Sequence, residues 1–281
     1  MSENKMNINW FPGHMHKALK EMESEIKNVD AVIYVLDARA PLACLNPSFI
    51  KLIGEKPVLY VLNKMDMADT SKLEEVKKSL QTETSSVIEL NSTASGALNK
   101  VTTLLNKLCE KQITKYKNKG INYFVRAIVI GVPNSGKSTL VNNLCGSARA
   151  VTGNKPGVTK GKQWVKLSNN IEILDTPGTL WPNLEDEKVA HQLAYIGSIK
   201  DDVLIVEELA LDLIADLKLT YPSLLELKYS INAEEESLQI MEDIAEIKKH
   251  LLKGGDVDYE RTAKAILDDF RKCRIGKITF I

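Results

Sequence analysis

The octapeptide Gly131-Val-Pro-Asn-Ser-Gly-Lys-Ser138 fits the pattern GxxxxGK[ST] at every fixed position. It follows an apolar run at Phe124–Ile130, which predicts a strand, and it opens an amphipathic stretch at Gly136–Leu144, which predicts a helix. Glycines at both ends of such a loop let several backbone N–H groups converge on one anion, and the positive end of the following helix points at the same anion. Strand, loop and helix together predict a site for the phosphates of a nucleotide.

The side chains of this loop suit the same task. The Lys137 ammonium would neutralise charge on the β- and γ-phosphates, and the Ser138 hydroxyl would be a ligand of Mg²⁺. Backbone N–H groups around these two residues would complete the contact. The predicted phosphate-binding residues are Asn134, Ser135, Gly136, Lys137, Ser138 and Thr139.

A second motif, Asp175-Thr-Pro-Gly178, follows the apolar run at Ile171–Leu174. A carboxylate at the end of a strand beside a phosphate loop can hold Mg²⁺ through water, which is the role predicted for Asp175. Gly178 has no side chain, so its backbone N–H can come close to a γ-phosphate. The motif alone is common at turns, but its position after a strand in a chain with a phosphate loop favours metal and phosphate binding.

A third motif, Asn63-Lys-Met-Asp66, follows the apolar run at Pro57–Leu62 and indicates which base is bound. Guanine presents N1–H and N2–H₂ on one edge, and one carboxylate accepts from both, whereas the N1 of adenine is itself an acceptor. We predict that Asp66 reads guanine, that Lys64 covers the ring and that Asn63 ties this base loop to the phosphate loop. Asn91 and Ser92 follow an apolar run at Val87–Leu90 and would add backbone N–H donors. The predicted base-binding residues are therefore Asn63, Lys64, Met65, Asp66, Asn91 and Ser92.

Strand-like and helix-like runs alternate through the first two-thirds of the chain. Short β-branched apolar runs suit strands covered on both faces, and their alternation with helices is typical of an α/β fold with a mainly parallel sheet. After about Trp181 only helical patterns follow, so we predict an α/β domain at 1–180 and a smaller all-α domain at 181–281. The predicted strands are Ala31–Leu36, Pro57–Leu62, Val87–Leu90, Phe124–Ile130, Trp164–Leu167 and Ile171–Leu174, and the predicted helices are Lys17–Asn28, Thr70–Gln81, Ala97–Lys111, Gly136–Leu144, Glu187–Ile196, Val203–Leu217, Ser223–Tyr229, Leu238–Leu252 and Tyr259–Lys272.

Composition is that of an ordinary globular protein and excludes several classes. The 281 residues carry 37 Lys plus Arg and 37 Asp plus Glu, and this zero net charge excludes a wholly basic coat for nucleic acid. No apolar run reaches the roughly eighteen residues of a membrane span, and the polar start MSENKMNINW is unlike a signal peptide. The four cysteines lie far apart without a CxxC pair, which argues against a zinc ribbon and for reduced thiols in the cytoplasm.

The three motifs occur in an unusual order. In Ras-like GTPases the phosphate loop comes first and the NKxD element near the end, whereas here Asn63–Asp66 precedes Gly131–Ser138 and Asp175–Gly178 comes last. A site at one sheet edge does not depend on chain order, provided that the same strands end side by side. The sequence therefore resembles the circularly permuted GTPases over nearly its whole length.

Further segments narrow the resemblance: Trp10-Phe-Pro-Gly-His-Met15, Asp37-Ala-Arg-Ala-Pro41, Pro156-Gly-Val-Thr159 and Gly255-Asp-Val-Asp-Tyr-Glu-Arg261. With the three nucleotide motifs they resemble the ribosome biogenesis GTPase A family (RbgA, also called YlqF). Other permuted GTPases of ribosome assembly carry cysteine-rich zinc modules or an N-terminal β-barrel, and neither pattern is found here.

This resemblance implies a cytoplasmic, monomeric factor for late assembly of the large ribosomal subunit, with GTP/GDP and Mg²⁺ as cofactors. GTP hydrolysis would be stimulated by the precursor particle, and the helical C-terminal domain would bind ribosomal RNA rather than DNA or a membrane. Acids are interleaved with the bases there, so the charges alone define no basic stripe. The basic residues there that could form a phosphate-binding face are Lys248, Lys249, Lys253, Arg271, Lys272, Arg274 and Lys277.

The resemblance also implies roles in the reaction. Thr159 corresponds to the switch threonine that closes over Mg²⁺ and the γ-phosphate, and Asn134 to an asparagine that holds K⁺ in K⁺-stimulated relatives. Ras-type enzymes orient the attacking water with a glutamine after DxxG, but this chain has Thr179 there. The resemblance gives that work to His14 and leaves the nearby His16 as the weaker candidate, since a histidine can orient or deprotonate water near neutral pH.

Two other functions are compatible with parts of the sequence. Thr179 in place of glutamine also fits a GTP-gated scaffold whose hydrolysis is incidental. A phosphate-loop kinase for a small molecule is disfavoured by Asp66 and by the absence of an evident lid segment.

Overall fold

A computed structural model of the chain describes residues 13–146, 163–168, 170–181, 184 and 186–281. The strands in this part are β1 (Ala31–Asp37), β2 (Val58–Asn63), β3 (Ser85–Glu89), β4 (Val125–Ile130), β5 (Gln163–Ser168) and β6 (Ile171–Asp175). They form one sheet in the order β3-β2-β1-β4-β6-β5. The edge strand β5 is antiparallel to β6, and the other neighbouring pairs are parallel.

Helices cover both faces of the sheet because the central strands are apolar on both sides. In β1, Ile33 and Val35 belong to one hydrophobic cluster, Tyr34 and Leu36 belong to the other, and all four are fully buried. The helices of this region are α1 (Gly13–Lys27), α2 (Pro47–Ile53), α3 (Leu73–Leu80), α4 (Ala97–Leu108), α5 (Glu110–Lys117) and α6 (Lys137–Cys145). Residues of α1, α2 and α3 join the Tyr34 cluster, and residues of α4 and α6 join the Ile33 cluster.

After β6 the described chain is helical, with α7 (Glu187–Tyr195), α8 (Val206–Thr220), α9 (Pro222–Tyr229), α10 (Ser237–Lys248) and α11 (Tyr259–Arg271). These helices share the Tyr34 cluster with the sheet, and Tyr195, Phe270 and Phe280 pack there with ring centroids 5.7–6.3 Å apart. The predicted fold class is confirmed, while the division at residue 180 stays a prediction. Among the described residues, no helix combines the length and apolar character that crossing a membrane requires.

Two short helices, α2 and α5, are missing from the sequence prediction. The start of α2 carries its own signal, since Asn46 accepts a hydrogen bond from the Ser48 N–H and Pro47 occupies the first turn. The helix predicted over Ala97–Lys111 corresponds to α4, which ends at Leu108, and α5 begins after Cys109 and continues beyond the predicted end to Lys117. No residue of α5 is buried, so no apolar face marks this helix in the sequence.

Candidate nucleotide-binding site

The predicted motifs meet at one edge of the sheet. Because β1, β2, β3, β4 and β6 are parallel, their carboxyl ends lie on the same side. The phosphate loop 131–136 follows β4, the DTPG motif begins at the last residue of β6, and the base loop 63–66 begins at the last residue of β2. The order of the strands therefore places the three motifs side by side, although they are far apart in the sequence.

Two glycines allow the phosphate loop to curl. Gly131 has φ +148°, and a Cβ there would lie 2.4 Å from the Val35 carbonyl oxygen. Gly136 has φ +94° where α6 begins, and a Cβ there would lie 2.2 Å from the Asn63 side-chain nitrogen. Side chains are excluded at both positions, so these two contacts explain the fixed glycines of the pattern.

Lys137 is enclosed within this loop. Its side chain is 5% exposed, and its Nζ donates to the Val132 carbonyl at 2.7 Å. Burial lowers the pKa of Lys137 to about 8, although Asp175 acts in the opposite direction. A Cβ on Gly178 would lie 2.7 Å from the same Nζ, so the DTPG motif closes directly over the lysine. An anion bound here would restore the charge that burial disfavours.

Ser138 and Asp175 place two oxygen atoms that can bind a metal ion beside this lysine. The Ser138 hydroxyl donates to Asp175 Oδ2 at 3.4 Å. Asp175 is 1% exposed, burial raises its pKa, and its Oδ1 has no hydrogen-bond partner among the described residues. A buried carboxylate oxygen without a partner is costly. Hydroxyl and carboxylate oxygens are the ligands that Mg²⁺ prefers, so this pair fits that ion.

Asn63 joins three loops. Its Nδ2 donates to the Ser135 carbonyl of the phosphate loop at 2.8 Å. Its Oδ1 accepts from the Ser92 backbone N–H at 3.0 Å and from the Ser92 hydroxyl at 2.7 Å. The base loop, the phosphate loop and the loop after β3 are therefore fixed to one buried amide.

The next three residues of the base loop differ in environment. Lys64 adopts φ +62°, and its Nζ donates to the Asn134 carbonyl at 2.7 Å. The Met65 backbone N–H donates to the Leu90 carbonyl. Asp66 is exposed, and its carboxylate makes no hydrogen bond within the described chain. Its two oxygens are thus accessible to a ligand.

For the remaining predicted residues, the structure says less about a role in nucleotide binding. Asn91 accepts hydrogen bonds from the Thr93 N–H and hydroxyl within its own turn, and Thr139 is half-buried in α6. His14 is the second residue of α1, but its side chain lies outside what the structure describes, as does the whole of Thr159. Their roles stay predictions.

Sequence reasoning missed a connection from the phosphate loop to the helical region. The Ser198 hydroxyl donates to the Pro133 carbonyl at 2.7 Å, and Asn134 Nδ2 donates to the Gly197 carbonyl at 2.6 Å. Both partners lie in the turn that follows α7. No local pattern in the sequence marks Gly197 or Ser198, because these contacts span more than sixty residues.

Comparisons with known proteins agree with this geometry. A family model described as "50S ribosome-binding GTPase" matches residues 126–251, starting in the strand before the phosphate loop. Ribosome biogenesis GTPase A from Bacillus cereus is 37% identical over 98% of this chain and 94% of its own length. The protein of that name from Thermotoga maritima is 31% identical over 97% and 94%. The structure of GNP-bound YlqF from T. maritima covers 94% of this chain and 97% of its own, with a TM-score of 0.64 and 25% identity.

A base loop ahead of the phosphate loop in the chain, but beside it in the sheet, is the arrangement of a circularly permuted GTPase. Guanine nucleotides are its ligands and GTP its substrate. The sequence identity to these relatives, which extends over nearly the whole chain, also defines the family. The chain belongs to the ribosome biogenesis GTPase A family. The resemblance inferred from the motifs is confirmed.

Proposed function

We propose that this protein is a GTP-hydrolysing assembly factor of the large ribosomal subunit, which binds the precursor particle in its GTP state and leaves it after hydrolysis. The relatives are named for ribosome biogenesis, and the matching family is described as binding the 50S ribosome. The observation that carries the switch mechanism is the pair of hydrogen bonds from the phosphate loop to Gly197 and Ser198. Through them, a change at the phosphates reaches the helices directly.

Nucleotide binding divides between the two loops. Asp66 accepts from the two guanine donors, and the stem of Lys64 covers the ring while its ammonium is held at the phosphate loop. Lys137 and the backbone N–H groups at the start of α6 hold the phosphates. Asn63 keeps the two halves at a fixed separation, because it is bonded to both.

Ser138 and Asp175 would hold Mg²⁺, with Thr159 as a further ligand. The metal supplies positive charge against the β- and γ-phosphates. Gly178 lies against Lys137 Nζ, and its backbone N–H would donate to the γ-phosphate. Asn134 is the residue proposed for K⁺, which would add positive charge where other GTPases use an arginine.

Thr179 stands at the position where Ras-type enzymes carry the water-orienting glutamine. It is fully buried, and its N–H donates to the Gly131 carbonyl at the base of the phosphate loop. We assign the orientation of the water to His14, near the start of α1. The same observation fits a GTP-gated scaffold, which single-turnover hydrolysis with and without large-subunit precursors would distinguish.

Replacing His14 with alanine is expected to lower particle-stimulated turnover by about 100-fold, the usual contribution of a general base or water-orienting group. Affinity for GDP should stay unchanged, because the base and phosphate contacts come from other loops. The matched control is His16→Ala, in the same turn of α1. Full stimulated turnover of the His14 variant would remove this residue from the mechanism.

The proposed RNA contact falls on a small set of cations. In the helical region Arg271, Lys272, Arg274 and Lys248 pair with acids. Lys249, Lys253 and Lys277 are exposed and form no ion pair within the described chain. A cation without an acidic partner can neutralise an RNA phosphate, so we propose these three lysines as the electrostatic contribution to rRNA binding.

Sedimentation of cytoplasmic extract tests the function as a whole. With a non-hydrolysable GTP analogue, the protein should migrate with large-subunit precursors, and with GDP it should remain in the soluble fraction. Ser198→Ala should reduce the difference in particle binding between the GTP analogue and GDP, because it removes one hydrogen bond between the phosphate loop and the helices. Co-migration with small subunits, or with no particle in either condition, would contradict the proposal.

A further inference from the structure

Asp37 is a buried carboxylate beside the base loop that the nucleotide motifs do not include. It ends β1 directly opposite Asn63 of β2 and is 1% exposed. Its Oδ2 lies 2.7 Å from Lys64 Nζ and 2.8 Å from the Arg39 guanidinium, which also donates from Nε to Oδ1 at 2.9 Å. Burial opposes its ionisation, but the charges of Arg39 and Lys64 outweigh that effect and hold its pKa well below the usual range.

The same carboxylate determines where the Lys64 ammonium lies. Among the described residues that ammonium has two partners, the Asp37 carboxylate and the Asn134 carbonyl of the phosphate loop. Burial lowers the pKa of Lys64, and among its neighbours Asp37 acts most strongly in the opposite direction. Without Asp37, the carbonyl alone would hold the ammonium, and the Arg39 cation would repel it.

Arg39 is in turn fixed from the helical region. Its Nη1 donates to the Arg271 carbonyl at 3.1 Å, its guanidinium lies 5.5 Å from the Phe270 ring centroid, and its own carbonyl accepts from the Phe280 N–H. The carboxylate of Asp37 is therefore held in one orientation before any nucleotide arrives. Preorganisation of this kind lowers the cost of binding.

We propose that Asp37 is a positioning residue for guanine nucleotides, and that it acts through Lys64. Asp37 holds the Lys64 ammonium against the phosphate loop. The aliphatic stem of Lys64 is then already extended over the position that the base will occupy when the nucleotide binds. It touches neither base nor phosphates. The inference rests on the proposed nucleotide roles of Lys64 and Asp66, and it predicts an effect on nucleotide affinity rather than on the hydrolysis step.

A double-mutant cycle tests this dependence. Asp37→Asn should weaken binding of a fluorescent GDP analogue about tenfold, since direct couplings of this kind are commonly of that size. In the Lys64→Met background, which keeps the stem and removes the ammonium, the same change should alter affinity by less than about twofold. Single-turnover hydrolysis at saturating GTP should stay unchanged in the Asp37 variants.

Asp269 provides a matched control. It is 3% exposed and pairs with Lys248 at 2.8 Å and Arg274 at 3.1 Å, so it too is a buried carboxylate between a lysine and an arginine. Asp269→Asn should lower the unfolding temperature without changing GDP affinity. Asp37→Glu, which keeps the charge, should recover most of the affinity. If Asp37→Asn does not fold, Asp37→Ser, which also removes the carboxylate, takes its place in the cycle.

The possible outcomes distinguish a failure of the Asp37 inference from a failure of the proposed function. An equal loss of affinity in the Lys64 and Lys64→Met backgrounds would show that Asp37 acts on the fold and would overturn the inference. An effect on hydrolysis with unchanged affinity would also overturn it. Absence of guanine-nucleotide binding by the unaltered protein would instead contradict the proposed function.

Discussion

Replacing Asp66 with asparagine is expected to lower GTP affinity by roughly two to three orders of magnitude and to turn the site toward xanthine nucleotides. The carboxylate accepts two charge-assisted hydrogen bonds from guanine, each worth about 1.5–3 kcal/mol. An asparagine accepts only one of them and places an N–H₂ against the other guanine donor. Xanthine carries an oxygen at that position, so the asparagine would donate to it while still accepting from N1–H. Competition of GTP, XTP and ATP against a fluorescent GDP analogue measures the change.

The fold should tolerate this substitution. Asp66 is exposed, and its carboxylate makes no hydrogen bond within the described chain, so its loss leaves no buried group unsatisfied. Asp202→Asn, at another exposed carboxylate, serves as the control and should leave all three affinities unchanged. Equal preference for GTP and XTP in the unaltered protein, or an unchanged GTP affinity in the Asp66 variant, would exclude Asp66 as the base-reading residue.

The site was predictable from sequence where a short motif and the strand before it act together. The phosphate loop is local in the chain, and its glycines are required by contacts that any such loop makes. The base loop could be assigned because the chemistry of guanine calls for one carboxylate. Adjacency of the loops followed from the general rule that the carboxyl ends of parallel strands share an edge.

What sequence reasoning missed depends on contacts between distant segments. In the sequence Asp37 is marked only by its place in a family segment, and nothing local shows that its carboxylate contacts Lys64. Ser198 looks like any turn residue until the fold brings it to the Pro133 carbonyl. Such contacts are set by the packing of the helices against the sheet, and a periodicity of apolar residues specifies the packed face but not the individual partners.

Replacing Lys137 with alanine is expected to reduce GTP hydrolysis by about two orders of magnitude or more, because preorganised charge at the transferring phosphate is among the largest contributions in such sites. It should also abolish the GTP-dependent difference in particle binding. The phosphate loop would lose the cation that Gly178 encloses, and the hydrogen bonds to Gly197 and Ser198 would no longer respond to a γ-phosphate. Single-turnover hydrolysis and sedimentation with a non-hydrolysable analogue measure the two effects.

The nucleotide-free fold should survive the loss of this lysine. Burial lowers the pKa of Lys137 from 10.5 to about 8, so between these values the unfolded chain binds a proton that the folded chain has released. The stability of the unaltered protein relative to Lys137→Ala should therefore rise as the pH increases from about 8 to 10.5. At neutral pH the desolvated ammonium disfavours the fold by up to about 3 kcal/mol, which offsets the packing lost with its stem. Particle binding by the variant that still differs between GTP and GDP would contradict control of the helices through this loop.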